Sequence, residues 1–256
     1  MMRSEGRLRR RGRGPAEMTF VLAALALAGC LAAPQGAAEP AKPAAAVPTA
    51  EPAPEPPEPP EPPPPVCTRV TIKAVGDLLM HLPLVQAAET AAGHDFRPLL
   101  APVSDRLAAA DLTIANLETT LGGPERGWSG YPRFNSPDAL VDAVRDAGID
   151  VLTTANNHAL DTGGAGLIRT LEVVRAAGLA AAGTRAAADE PGFALVDVNG
   201  LQVAVLAYTY GTNGIPLPEP HMVNLLDPEQ IAADVAAARA AGADLIVAAP
   251  HWGLEY

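Results

Sequence analysis

The sequence has 256 residues, 48% of them hydrophobic and 4% aromatic, with a formal net charge of −11. That apolar content excludes a wholly disordered chain, and no apolar run reaches the roughly 18 residues that a membrane span needs. The acidity argues against nucleic acid as a partner, because it repels phosphate backbones and no basic stripe with interleaved aromatics offsets it.

The sign of the charge is not uniform. Residues 1–29 carry six Arg and two acids, whereas residues 67–256 hold 11 basic and 22 acidic residues. Arg3 to Arg13 precede a short apolar run, Met18 to Ala28, of the kind found in export signals. The run ends Leu27-Ala28-Gly29-Cys30, which resembles a bacterial lipoprotein box in which Cys30 is lipidated and becomes the new N-terminus. The alternative is an ordinary secretory signal with an incidental cysteine; Arg-Arg pairs are present without the rest of a twin-arginine pattern. The expected organisation is a lipoprotein signal peptide over residues 1–29, a Pro/Glu-rich disordered linker over 30–66, and a folded domain over 67–256. That domain of about 190 residues can bury a sizeable core. Residues 34–65 hold 14 of the 27 prolines. This composition favours polyproline II and suits a spacer of up to roughly 100 Å better than a ligand for another protein. Only Cys30 and Cys67 are present. With Cys30 lipidated, Cys67 is expected as a small core or edge residue, and burial alone must stabilise the fold.

From Arg69 onward the pattern alternates. Val70 to Val75 is β-branched and bounded by Gly76, which predicts a strand. Pro83 to about Ala92 and Leu99 to Ala110 read as helices, and Leu112 to Ala115 as a short strand. Ser136 is placed to cap a helix with Pro137 at its first position, apolar at Leu140, Val141, Val144 and Ala147 and stopped by Gly148. A strand follows at Ile149 to Thr154, then a helix at Gly166 to Ala177 with Leu167, Leu171 and Val174 on one side. Phe193 to Val198 and Leu201 to Tyr208 flank Asn199-Gly200, a hairpin signal suited to a type I′ turn. Asp227 to Ala241 reads as a helix with Ile231, Val235 and Ala238 inward, and Asp244 to Ala249 as a buried strand. Strand–helix alternation with one hairpin predicts an α/β fold with a mixed sheet.

The unusual polar residues fall at strand ends: Asp77 after the first strand, Asn116-Leu117-Glu118 after the second, Asn156-Asn157-His158 after the third, and His251-Trp252-Gly253 after the last. Ligands of open α/β sheets bind at the carboxyl ends of strands. Singly, Asp77 could cap a helix, Asn157 could hold a turn, and either His could be structural; their common placement favours one joint site. Carboxylate and amide oxygens mixed with imidazole suit Mn, Fe, Zn or Mg. Two such ions 3.5–4 Å apart can stabilise both the entering and the leaving oxygen of a displacement.

Gly76-Asp77, Asn116-Leu117-Glu118, the segment Asn156-Asn157-His158-Ala-Leu-Asp161-Thr-Gly163-Gly-Ala-Gly166, and His251-Trp252-Gly253-Leu-Glu255-Tyr256 together resemble the CapA family. These are capsule-synthesis and poly-gamma-glutamate biosynthesis proteins, related to calcineurin-like metallophosphoesterases. The resemblance implies a metallophosphatase-like α/β fold, a two-sheet sandwich flanked by helices, and two divalent metal ions. It further implies that Asp77 binds one metal, Glu118 bridges both, Asn157 and His251 bind the second, and His158 faces the substrate as general acid or phosphate stabiliser. His81 is a further metal candidate if a helical turn starts there, its alternative being a surface residue. Asp161 is expected to orient the His158 loop, and Arg133 to meet an anionic substrate or else form a surface salt bridge. His94 and His221 are read as surface residues. The family continues with another helix, further strands and a Gly-His-x-Pro-His motif, whereas the sequence given stops at Tyr256. The expectation is therefore a fold incomplete at the C-terminus, with a bare sheet edge and weak or no metal-dependent catalysis.

The resemblance implies a protein of the bacterial cell envelope, held to the membrane through its lipid anchor. It would serve synthesis, export or anchoring of an anionic polymer beside polymer-synthase membrane subunits, acting on that polymer or on a phosphate ester. The alternatives are a non-catalytic scaffold subunit of a polymer synthase, and a general periplasmic phosphatase or nucleotidase.

Overall fold

A computed structural model describes residues 67–253. The expected export signal, Cys30, the expected proline-rich spacer, and the pair Glu255 and Tyr256 lie outside the described residues. The elements are β1 (Ile72–Asp77), α1 (Leu82–Ala87), β2 (Glu89–Thr90), β3 (Gly93–His94), α2 (Arg97–Ala108), β4 (Leu112–Asn116), α3 (Ala139–Asp146), β5 (Val151–Thr153), α4 (Gly163–Ala176), β6 (Ala180–Ala182), β7 (Phe193–Val198), β8 (Leu201–Thr209), α5 (Pro228–Ala240) and β9 (Leu245–His251).

Two sheets form a sandwich with helices outside it. The first is fully parallel in the order β1-β4-β5-β6, and the second runs β7-β8-β9, with β7 antiparallel and β9 parallel to β8. The period of two along β8 shows why both of its faces are apolar. Val203, Val205 and Ala207 pack inward with Leu112, Ile114 and Val151 of the first sheet. The alternate residues Ala204, Leu206 and Tyr208 pack outward with Ile231, Val235 and Ala238 of α5. Leu107 of α2 and Leu140, Val141 and Val144 of α3 join Ala115 and Leu152 in the core on the other face of the first sheet. This is the sandwich of two facing sheets flanked by helices that the sequence resemblance implied.

One outer contact is polar. The Tyr208 hydroxyl lies 3.0 Å from Asp234 Oδ2 and ties β8 to α5. Burial, then the carboxylate beside it, pushes the phenol well above its ordinary value.

Several elements differ from expectation for local reasons. The first helix stops at Ala87 rather than continuing to Ala92, because the chain turns into the β2–β3 hairpin. Thr90 Oγ1 receives the Ala92 N–H at 3.3 Å, and Gly93 takes φ +131°. Ser136 does not cap α3, which begins at Ala139; its hydroxyl instead meets Thr119 Oγ1 at 2.8 Å in a buried polar pair. The fourth helix begins at Gly163, three residues before the expected start. Strand β6 carried no signal, since three alanines have no β preference of their own and become a strand by pairing with β5. Cys67 is exposed rather than part of the core. His94, expected at the surface, is half-buried, parallel to Phe96 and edge-on to Trp128 at 5.7 Å; His221 is half-buried as well.

Gly183 sits where the two sheets come close together. It has φ +102°, and a Cβ there would stand 2.5 Å from Ala155 Cβ and 2.9 Å from Ala207 Cβ. Gly183→Ala therefore adds left-handed strain to overpacking, and urea unfolding should show a loss of at least about 2 kcal/mol. Leu195→Ala, at a side chain already 36% exposed, should cost less than that.

Candidate metal centre

Parallel strands end on the same side of their sheet, so β1, β4 and β5 deliver their following residues to one edge. At the end of β1 the register slips by one residue: Val75 faces Ala115, whereas Asp77 faces Asn116, leaving Gly76 as the extra residue. Such a bulge re-aims the next side chain. Asn116 Nδ2 donates to Asp77 Oδ1 at 2.7 Å and lies 3.4 Å from His251 Nδ1. Asn116 Oδ1 in turn receives Thr153 Oγ1–H at 3.2 Å and Asn156 Nδ2–H at 3.1 Å. Asn156 also donates to the Leu117 carbonyl at 2.8 Å and accepts the His158 N–H at 3.1 Å. These two asparagines frame the loops that carry the candidate ligands. Both belong to the strand-end motifs of the sequence but carry no expected role; a side-chain amide can give and accept at once, which suits it to join three loops.

Asp77, Glu118 and His251 converge, with one donor atom from each lying within 4.8 Å of the others. His251 Nε2 stands 3.7 Å from Glu118 Oε1 and 2.9 Å from Asn157 Oδ1, and His251 Nδ1 lies 4.0 Å from Asp77 Oδ1. Asn157 Nδ2 donates to Asn213 Oδ1 at 3.2 Å, which turns the amide oxygen toward the imidazole. Glu118 is buried and Asp77 is half-exposed. Two carboxylates this close repel each other, and a cation between them relieves that repulsion. The set of carboxylate and amide oxygens with one imidazole nitrogen fits a divalent ion of the Mn, Fe, Zn or Mg type. Asp77, Glu118, Asn157 and His251, four positions expected from the sequence, are thus gathered in one place.

The cavity beside them, about 420 Å³, is also lined by His81, Tyr131, Phe134, His158, Tyr210 and Trp252. His81 stands at the start of α1, as a helical turn there required, but its ring meets Phe134 edge-on at 5.0 Å and is outside the three-residue cluster. His158 is buried, its ring edge-on to Phe134 at 4.7 Å. Its Nδ1 lies 2.7 Å from Asp161 Oδ2, which also accepts the Phe134 N–H at 2.6 Å. This contact fixes the orientation of the His158 ring. Asp161 thus holds His158, as expected. Exposed Arg133 lines an adjoining cavity of about 340 Å³ together with His158 and Asp161, and it makes no ion pair among the described residues. The aromatic residues Tyr131, Tyr210 and Trp252 have no role in the sequence analysis; Tyr131 stands two residues before Arg133 and Trp252 directly after His251, whereas nothing in the sequence points to Tyr210.

Residues 71–256 match the family described as bacterial capsule synthesis protein PGA_cap. The chain is 27% identical over 198 residues to a capsule biosynthesis protein CapA of Bacillus anthracis, covering 73% of this chain and 47% of that protein. It is 29% identical over 120 residues to an uncharacterized protein, y4sH, of Sinorhizobium fredii, covering 44% of this chain and 24% of the other. The chain thus spans less than half the length of these curated relatives. Among solved structures it is similar to a 5'-nucleotidase precursor from Thermus thermophilus, with TM-score 0.44 and 20% identity over 72% of this chain and 37% of that one. It is also similar to a Thermus sulfate thiohydrolase, SoxB, with TM-score 0.39 and 18% identity over 61% of this chain and 29% of that one.

The bridging role of Asn116 has a measurable consequence. Asn116→Ala should weaken Zn²⁺ binding about ten- to a hundredfold in a chelator competition titration, with the far-UV circular dichroism unchanged.

Proposed function

The chain belongs to the PGA_cap family of bacterial capsule synthesis proteins, and from that premise we propose that it acts at the cell envelope in the synthesis, export or anchoring of an anionic polymer, through a phosphoesterase-type site with two divalent metal ions. The observation that carries this reading is the meeting of Asp77 and Glu118 from one sheet with His251 from the other in a single cavity. The export signal and Cys30 support a lipid-anchored position at the membrane, where polymer-synthase subunits would be its partners.

The residues divide the work by chemistry. Asp77, Glu118, Asn157 and His251 would hold the ions, with Glu118 as the carboxylate shared between them. Bound there, a divalent ion supplies Lewis-acid polarisation of a phosphoryl or carbonyl oxygen. His158 stands at the cavity with its ring orientation set by Asp161, and its Nε2 would deliver a proton to the departing oxygen. Asp161 stabilises the ring while it carries positive charge. Arg133 would pair with an anionic group of the substrate extending into the adjoining cavity. The net charge of −11 makes bound cations a condition for approach of any acidic polymer.

Metal analysis combined with a phosphate-ester assay tests the proposal. The protein should take up close to two equivalents of Mn²⁺ or Zn²⁺ in a titration, and chelator should abolish whatever hydrolysis of p-nitrophenyl phosphate it shows. His158→Ala should lower that rate about 10²–10⁴-fold with little change in KM. A protein that binds no metal yet still associates with polymer-synthase components would instead be a scaffold.

A further inference from the structure

The chain contains two Trp, four Tyr and four Phe, and their distribution is uneven. Among the described residues, the exposed aromatic side chains are Tyr131 at 73%, Tyr210 at 46% and Trp252 at 72%, and all three line the cavity beside the Asp77–Glu118–His251 cluster. The other exposed large hydrophobics are Leu and Val, and none of them lines it. The three aromatics come from separate segments: the loop before Phe134, the residue after β8, and the residue after β9. Tyr210 lies nearly parallel to the His251 imidazole, with centroids 6.3 Å apart and planes 12° apart, so its ring stands beside the cluster. Singly exposed apolar residues are ordinary, but three aromatics gathered around one polar cavity are not explained by packing. Aromatic faces bind what presents a face in return, the plane of a nucleobase or the C–H face of a sugar ring. An extended acyclic chain such as a glutamyl polymer presents none.

Resting on the phosphoesterase reading above, we infer that Tyr131, Tyr210 and Trp252 form a stacking subsite for a ring carried by a phosphate ester, so that the ligand of this site is a cyclic phosphorylated compound. The cluster takes the phosphate and the aromatic rim takes the ring. A cavity of about 420 Å³ has the capacity for one small ring-bearing ester.

The test uses Trp252 as reporter. Trp128→Phe leaves Trp252 as the one tryptophan of the chain, and its fluorescence is followed in Zn²⁺-supplemented protein during titration with AMP, glucose 1-phosphate and glycerol 3-phosphate. At least one of the two ring esters should bind tenfold or more tightly than glycerol 3-phosphate, the gain expected from one stacked ring. Preference for AMP alone identifies a nucleobase, and tight binding of glucose 1-phosphate identifies a sugar face. Tyr131→Ala and Tyr210→Ala should each weaken the ring esters several-fold more than glycerol 3-phosphate, whereas Tyr131→Phe and Tyr210→Phe retain the preference. Equal affinity for all three esters, or equal losses across them in the alanine variants, overturns the subsite and leaves the phosphoesterase reading standing. Binding of none of them overturns both.

Discussion

Everything at the site depends on one contact, the face-to-face packing of two sheets that contribute different members of the Asp77–Glu118–His251 cluster. Asp77 ends a strand of the first sheet, Glu118 follows another by two residues, and His251 ends a strand of the second. No local feature of either sheet brings an imidazole to within 3.7 Å of the Glu118 carboxylate. That distance is set by the shared core of Ile114, Val151, Val203 and Val205, and by the small residues Ala155, Gly183 and Ala207 that let the layers close near the site. Close-packed interiors transmit displacement rather than absorb it, so the spacing between the sheets is also the spacing between the donors.

Much of this was legible in the residues themselves. The Asn199-Gly200 turn has positive φ at both positions, 55° and 86°, as a type I′ hairpin requires. The apolar faces of α3 and α4 were readable at helical spacing and are buried as expected; on α5 Ala238 is buried, whereas Ile231 and Val235 are only partly covered. Polar residues immediately after strands announced the site, because a parallel sheet collects its carboxyl ends at one edge. The short pieces were not legible. The Ala180–Ala182 strand and the β2–β3 hairpin exist through their partners rather than through propensity. Nor were the aromatic walls, since Tyr131 and Tyr210 lie far apart in the chain and only the tertiary fold sets them around the same cavity.

The charge distribution has a parallel logic. The folded region is acidic overall, and two of its carboxylates are brought within a few ångströms of each other at the centre of the site. Such an arrangement is costly without a counter-charge and favourable with one. Acidity that excludes polyanions from most of the surface therefore concentrates cation affinity at one point, beside the lone guanidinium of Arg133 at the neighbouring cavity.

β1 has a single strand neighbour among the described residues, and it carries Asp77 at its last position. A terminal strand detaches by local fraying at lower free energy than the whole domain unfolds. Ligation through Asp77 would make cation occupancy and the integrity of this strand one equilibrium, deepening its amide-exchange protection by RT ln(1 + [L]/Kd). The ion would then be a clasp at this end of the sheet, so that scarcity of metal would loosen the architecture locally.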